Sequence, residues 1–325
     1  MTNEQKYKTT EERFNAFYKK CGSCRVTICD RIKVINCLNN WLTLEAEEEK
    51  PKPCPFCGGK HLFVNIKGMK KYELTDETKT IADGTVLHRI RAVRDFTLSD
   101  GTKVLAGDLG GWIEKEGNLS RVGSAWVYGD ACVYGDALVC GDAEVYGNAL
   151  VYGDALVYGD AFVYGSARVY GDACVYGSAR VYGDARVCGS ARVCGDAFVY
   201  GSARVCGDAE VCGSARVCGD AFVHGSARVY GDARVCGSSY VCGDAEVKSA
   251  RDYAVFKNGW SSGRWFTYTK SNRKWKVGCF HGTGEELIAK AYKDSELSGK
   301  CYEAIVSAQE AIDKAIAEAE KEQAK

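Results

Sequence analysis

From Ser124 to Val247 the chain repeats a six-residue unit, Ala-x-Val-Tyr/Cys-Gly-Asp/Ser, with no insertion anywhere along it. Valine stands at every sixth position from Val127 to Val247, and alanine two residues before each valine except at Ser239. Six residues bury too little to fold alone, so consecutive units must stack and share one core. Residues i and i−2 of an extended segment point to the same side, which puts Val and Ala together on the inside. The Gly-Asp or Gly-Ser step after each short strand is a corner. Gly takes backbone angles that other residues resist, and Asp, Asn and Ser bond to their own backbone. The chain is therefore mainly β, wound strand, corner, strand, corner.

A small residue, a variable one, an aliphatic one and a three-residue corner are together similar to the hexapeptide repeat of left-handed parallel β-helices. That resemblance implies three units per triangular coil, so the 21 valines of the register make about seven coils. The corner residues fit it. Asp and Ser alternate strictly from Asp172 to Asp244, so an 18-residue coil stacks Asp172, Ser190, Asp208, Ser226 and Asp244. A 12-residue coil sets Asp on Asp throughout, and like charges directly opposite are destabilising. The Arg residues that follow Ser corners predict mixed-sign ladders down the faces. Leu138, Leu150, Leu156 and Phe162 make the early coils apolar outside. That reads either as a self-association patch or as surface covered by an adjoining segment. A homotrimer, common in this fold, is the assembly the resemblance suggests.

Lys plus Arg and Asp plus Glu are both 43, so no global charge draws the protein to nucleic acid or membrane. The repeat itself is acidic, with eight Arg against twelve Asp and three Glu, and the flanks carry the balancing positive charge. Neither a signal peptide nor an apolar run near 18 residues is present, and a cytoplasmic protein is expected. Of 18 cysteines, ten lie in the repeat, mostly at corners. Cys188 with Cys206, Cys194 with Cys212 and Cys218 with Cys236 become neighbours on successive coils, within reach of a disulfide. A reducing compartment argues against bridging, and Cys then simply replaces Tyr at the corner.

Residues 1–68 form a Cys-rich module. Thr9 and Glu12 make a capping box ahead of a helix. Cys21 and Cys24, and then Cys54 and Cys57, are CxxC pairs, and four thiolates of that kind close a structural zinc shell. The gap between the pairs leaves an alternative in which Cys21, Cys24, Cys29 and Cys37 are one site and Cys54 and Cys57 join His61. The string Cys54-Pro-Phe-Cys57-Gly-Gly is similar to the start of phage-borne zinc ribbons of the restriction-alleviation type, although the second CxxC is missing.

Residues 69–121 read as a small β-rich cap, with a strand over Thr85–Val93 and a turn at Asp100-Gly101. Ala106-Gly-Asp-Leu-Gly-Gly-Trp112 lacks the Lys-Ser/Thr step of a phosphate loop. This stretch, with Trp260-Ser-Ser-Gly-Arg264 and Gly278-Cys-Phe-His-Gly-Thr283, resembles accessory proteins of phages and prophages of Gram-positive bacteria. The resemblance carries no established activity.

With the repeat occupying 122–247, residues 248–325 form an α+β module. Three strands are predicted over 252–257, 264–270 and 274–280, then a helix opened by the Thr283/Glu286 capping box and a final helix over 300–322 with an Ile305/Ile312 seam. Trp260, Arg264, Trp265, Lys274, Trp275 and Lys276 are the candidate binding residues. Aromatic faces interleaved with cations suit bases, nucleotides or an acidic protein; the plainer reading packs those aromatics inward. The function that fits is a non-enzymatic phage-encoded binding protein. Its rigid scaffold presents a surface to a host protein or nucleic acid, with counteraction of a host defence as one role. A hexapeptide-repeat acyltransferase is the first alternative, weakened because His224 is the only histidine in the repeat. A structural role in a virion is the second.

Overall fold

The computed structural model describes residues 70–323. The Cys-rich module, with Cys21, Cys24, Cys54 and Cys57, lies outside the described residues. The chain divides into two compact units, one ending at Ala161 and one beginning at Phe162.

In the first unit an antiparallel hairpin, Tyr72–Thr80 with Val86–Ala92, is followed by a short one, Phe96–Thr97 with Lys103–Val104, which turns at Asp100-Gly101. The strand Leu109–Ile113 then runs antiparallel to Val86–Ala92 on one edge and parallel to Cys132–Val133 on the other. It joins hairpin to solenoid. Trp112 pairs with Cys132 and Ile113 with Val133, twenty residues on instead of eighteen, and Leu119 bridges Val139 at the same offset. The winding thus starts one turn ahead of the repeat register. Gly110 and Gly111 are what allow it. A Cβ on Gly110 would lie 2.7 Å from the Val127 carbonyl oxygen, and one on Gly111 2.8 Å from that of Ala131. The Gly-Gly step serves this close approach.

Within the same unit Cys132–Val133 ladders with Leu150–Gly153, Leu138–Val139 with Leu156–Val157, and Trp126–Val127 with Glu144–Val145, giving three faces and a coil of eighteen residues. The open end of such a coil exposes carbonyl groups that have no next rung to bond. Side chains fill the gap. Lys71 Nζ donates to the Ala125 carbonyl at 2.5 Å, the Tyr72 hydroxyl to that of Leu119 at 2.8 Å, and Asn118 Nδ2 to those of Gly135 and Ala137 at 3.0 and 2.9 Å.

The second unit has a three-faced winding of its own in strict eighteen-residue register, as in Phe162↔Arg180, Arg168↔Arg186 and Cys174↔Arg192. Every valine of the register in this unit is fully buried. Each contributes on the order of 1.5 kcal/mol by leaving water. The corner amides join the ladder too, as where Ser178 N–H donates to the Gly195 carbonyl at 2.9 Å. Only one face carries the expected mixed signs, Arg192–Glu210–Arg228–Glu246. Another stacks Arg168, Arg186 and Arg204 on each other, long side chains that reach into solvent, where repulsion is weak. On the third, Arg180 lies over the rings of Phe162 and Phe198 at 5.5 and 5.6 Å, and Arg216 over Phe198 at 5.4 Å.

After the last rung, Glu246–Val247, an antiparallel sheet forms from Tyr253–Lys257, Trp265–Thr269, Lys274–Val277 and Phe280–Gly282, a fourth strand that periodicity had merged into the third. Helix α1 (Gly284–Asp294) opens with the capping box as expected, Thr283 Oγ1 accepting from Glu286 N–H at 3.2 Å and Glu286 accepting from Thr283 N–H at 2.8 Å. Helix α2 (Glu296–Gln323) begins four residues earlier than expected, crossing α1 where Gly299 meets the Tyr292 ring. Its buried side differs from the predicted seam. Val306 and Gln309 are buried, Ile305 is half-buried and Ile312 is exposed, because the core lies over the sheet's Phe266, Tyr268, Trp275 and Val277.

Candidate binding surface and thiol ladder

Alternation along the C-terminal strands decides what each side chain faces. Phe266, Tyr268, Trp275 and Val277 point to the helices, and Tyr268 anchors there by donating to Asp313 at 2.6 Å. Thr267, Lys276 and His281 lie side by side on the opposite face. That face meets the last coil. Tyr240 N–H donates to Thr267 Oγ1 at 2.8 Å, Glu246 N–H to Ser271 Oγ at 2.7 Å, and Asn272 Nδ2 to Asp244 at 3.0 Å. Lys276 Nζ sits 4.7 Å from the Tyr240 ring centre. The sheet thus supplies the end of the solenoid with the partners that a next rung would have given.

The six candidate binding residues do not share one surface. Trp275, 2 % exposed, is core. Trp260 packs edge-on to Tyr302 at 6.0 Å and near Phe266 at 6.2 Å, a half-buried lid on the same core. Lys276 is committed to the solenoid end, and Lys274 is half-buried beside it. Arg264 and Trp265 remain. Trp265 is 41 % exposed and lies under Lys257 at 5.4 Å. Arg264 runs along Gly278 and lines a shallow cleft with Cys279, Phe280, Lys290 and Tyr302. Sequence reasoning named Arg264 and Trp265 and placed Lys257 among the cations of the segment without pairing it to the ring; it did not single out Lys290, which is over Phe280 at 5.8 Å. Strand register, not spacing, brings Lys257 across from Trp265.

The apolar patch is likewise divided. Leu138 is sealed within the chain by Cys140, Leu156 and Tyr158, so it offers nothing to a second copy. Leu150 packs on the cluster of Leu87, Trp112 and Cys132, the covering by an adjoining segment that was the other reading. Phe162 is half-buried beside Arg180.

Two histidines come together at the end of the solenoid. His224 lies between the rings of Phe222 and Tyr240, at 5.2 and 5.4 Å, and His281 covers Gly243. Burial and the ammonium of Lys276 hold both imidazoles below the usual histidine range.

The corner position after each valine is a ladder of its own. Tyr164, Tyr182 and Tyr200 stack at 4.8 and 5.0 Å with planes within 3° of parallel, since the strand spacing suits stacked rings. Lower down the same column Tyr gives way to Cys, and Cys218–Cys236 is a disulfide with Cα atoms 4.6 Å apart. This corrects the reading in which every Cys merely replaced Tyr: rung stacking places the pair within bonding reach. Cys188, Cys206, Cys194 and Cys212 are free thiols. Burial pushes Cys206 and Cys212 up to about 11.

Comparison with known proteins bears on the repeat. Residues 143–159, 167–183, 179–195, 191–207 and 227–243 match the YdcK β-solenoid repeat. The chain winds as a repeat β-solenoid. Over 67 residues it is 37 % identical to the protein called uncharacterized acetyltransferase YdcK of Escherichia coli (strain K12), a stretch covering 18 % of this chain and 19 % of that protein. The family match thus lies within the repeat, and this chain spans less than a fifth of the length of the relative. Among the described residues no helix is long and apolar enough to cross a membrane.

Proposed function

We propose that the protein is a non-enzymatic binding scaffold whose C-terminal module meets an acidic partner, a host protein or a nucleic acid. The observation that carries this is the Lys257–Trp265 pair, a large aromatic 41 % exposed under a cation on a sheet whose Phe266, Tyr268 and Trp275 face the core and whose Thr267 and Lys276 face the solenoid end. An exposed tryptophan of this kind stacks on bases or on planar side-chain groups, and Arg264 beside it supplies charge and a planar donor face. Within the second unit the rungs are hydrogen-bonded to one another and the last coil to the module's sheet, which fixes the module on that end of the solenoid. A structural zinc ion on Cys21, Cys24, Cys54 and Cys57 belongs to the same proposal for the segment ahead of it.

The test is capture from host lysate with wild type and with Trp265→Ala, followed by mass spectrometry of bound protein and nucleotide. A partner retained by wild type and lost by a folded Trp265→Ala supports the reading, and a partner indifferent to both Trp265 and Arg264 overturns it. Trp275→Ala is unsuitable here, since it removes core.

The acetyl-transfer reading draws on the relative's name and on the His224–His281 pair, neutral imidazoles of the kind a general base requires. Acetyl-coenzyme A turnover abolished by His224→Ala would establish it in place of the first.

A further inference from the structure

We infer that Cys194, Glu210 and Cys212 form a binding site for a thiophilic divalent cation of the zinc class. The two cysteines stand on consecutive rungs in the same column, and Glu210 precedes Cys212 by two residues, so its carboxylate leaves the strand on the same side. One ligand atom from each lies within 4.8 Å of the other two. The Tyr176 hydroxyl and the Cys212 thiol both lie within side-chain hydrogen-bond reach of the Cys194 sulfur, so polar atoms already converge on it.

The solenoid contains its own comparison. Three cysteine pairs share the eighteen-residue offset, and they differ in what stands two residues before each thiol. For Cys188 and Cys206 these residues are Arg186 and Arg204, and for the bridged Cys218 and Cys236 they are Arg216 and Arg234. Only the pair of Cys194 and Cys212 carries a carboxylate there. Two thiolates and one carboxylate form a set suited to a borderline-soft ion in tetrahedral coordination, with a fourth position open to water. Such a complex is net anionic, and Arg192 and Arg228, on the rungs either side of Glu210, balance it. Binding replaces two S–H bonds with two metal–sulfur bonds. The protons go to solvent and no electron changes hands. Ladder bonds fix the backbone, with Cys194 N–H on the Val211 carbonyl and Cys212 N–H on the Val229 carbonyl, both 2.9 Å, so closure onto the ion needs only side-chain torsions.

The experiment is titration of the full-length, metal-stripped and reduced protein with Co2+, read by the thiolate-to-cobalt charge-transfer absorption. Working by difference separates this site from whatever the cysteines ahead of residue 70 bind. Cys194→Ser/Cys212→Ser is expected to bind one cobalt ion fewer than wild type, and Cys188→Ser/Cys206→Ser the same number as wild type. Glu210→Gln is expected to weaken the site by at least about tenfold, the lower end of what loss of a supporting group costs. Equal stoichiometry in wild type and Cys194→Ser/Cys212→Ser overturns the inference. So does unchanged affinity in Glu210→Gln, a surface substitution that leaves the fold intact, or recovery of Cys194 and Cys212 as a disulfide from freshly isolated protein.

Discussion

A methyl group added at a corner of the solenoid should cost very different amounts depending on what lies on the next rung. Gly165 and Gly237 have nearly the same left-handed backbone, φ +71° and +68°. Alanine at either position meets the same conformational penalty, about 1–2 kcal/mol. Their surroundings differ. A Cβ on Gly165 would stand 2.9 Å from the amide nitrogen and 3.3 Å from the Cα of Gly183, whereas one on Gly237 meets nothing within 4 Å. The Gly183 backbone has no room to retreat, because Ser166 N–H holds its carbonyl at 2.8 Å and Tyr164 N–H holds that of Val181 at 3.0 Å. Forcing such a contact adds about 1–3 kcal/mol. Gly165→Ala is therefore expected to cost about 2–5 kcal/mol and Gly237→Ala about 1–2, each by adding those contributions. Stacked repeats do not unfold all-or-none, so a single global midpoint misleads. Hydrogen exchange over the corner amides reads each site against its own wild type. With about 1.4 kcal/mol per factor of ten, Gly165→Ala should speed local exchange some tens- to thousands-fold and Gly237→Ala about tenfold. Equal acceleration at both sites would refute the claim that stacked backbone, and not backbone angle alone, makes these corners glycine.

Trp275→Ala should destabilise the C-terminal module by about 3–5 kcal/mol, the usual cost of emptying a large aromatic site, whereas Trp265→Ala should fall within about 0.5 kcal/mol of wild type; chemical unfolding followed by circular dichroism separates them. Lys71 is buried, and burial lowers its ammonium from 10.5 to about 7. Between those values the unfolded chain holds a proton that the folded one lacks, so stability should rise with pH from about 7 towards 10.5 and be flat in this respect below 7. Lys71→Met should flatten that slope, as measured by melting temperature against pH. Reducing Cys218–Cys236, or changing both to Ser, should lower the stability of the last coils by about 3 kcal/mol, the entropic worth of a loop of similar length. Non-reducing peptide mapping with exchange over residues 216–241 checks both the bond and its effect.

The winding and the buried Val/Ala interior were legible in the sequence because stacking makes a local period into a global one, while the eighteen-residue coil came from the resemblance to hexapeptide repeats, with the Asp/Ser alternation in support. Whatever stands at position i stands beside i+18, so a linear pattern already specifies tertiary neighbours. The corner glycines and the Thr283 capping box were legible for a related reason, being decided by residues close in the chain. What the pattern could not contain is anything set by contacts outside the period. The parallel start at Leu109–Ile113 depends on two bare glycines meeting the Val127 and Ala131 carbonyls. Which aromatics of the C-terminal sheet face core or water depends on strand register, and so Trp275 and Trp265, alike in sequence context, are separated to 2 % and 41 % exposure. Composition put tryptophans and cations in the same segment. Only the pairing of Lys257 with Trp265, and the helices laid over the other face, decided which tryptophan a partner could touch.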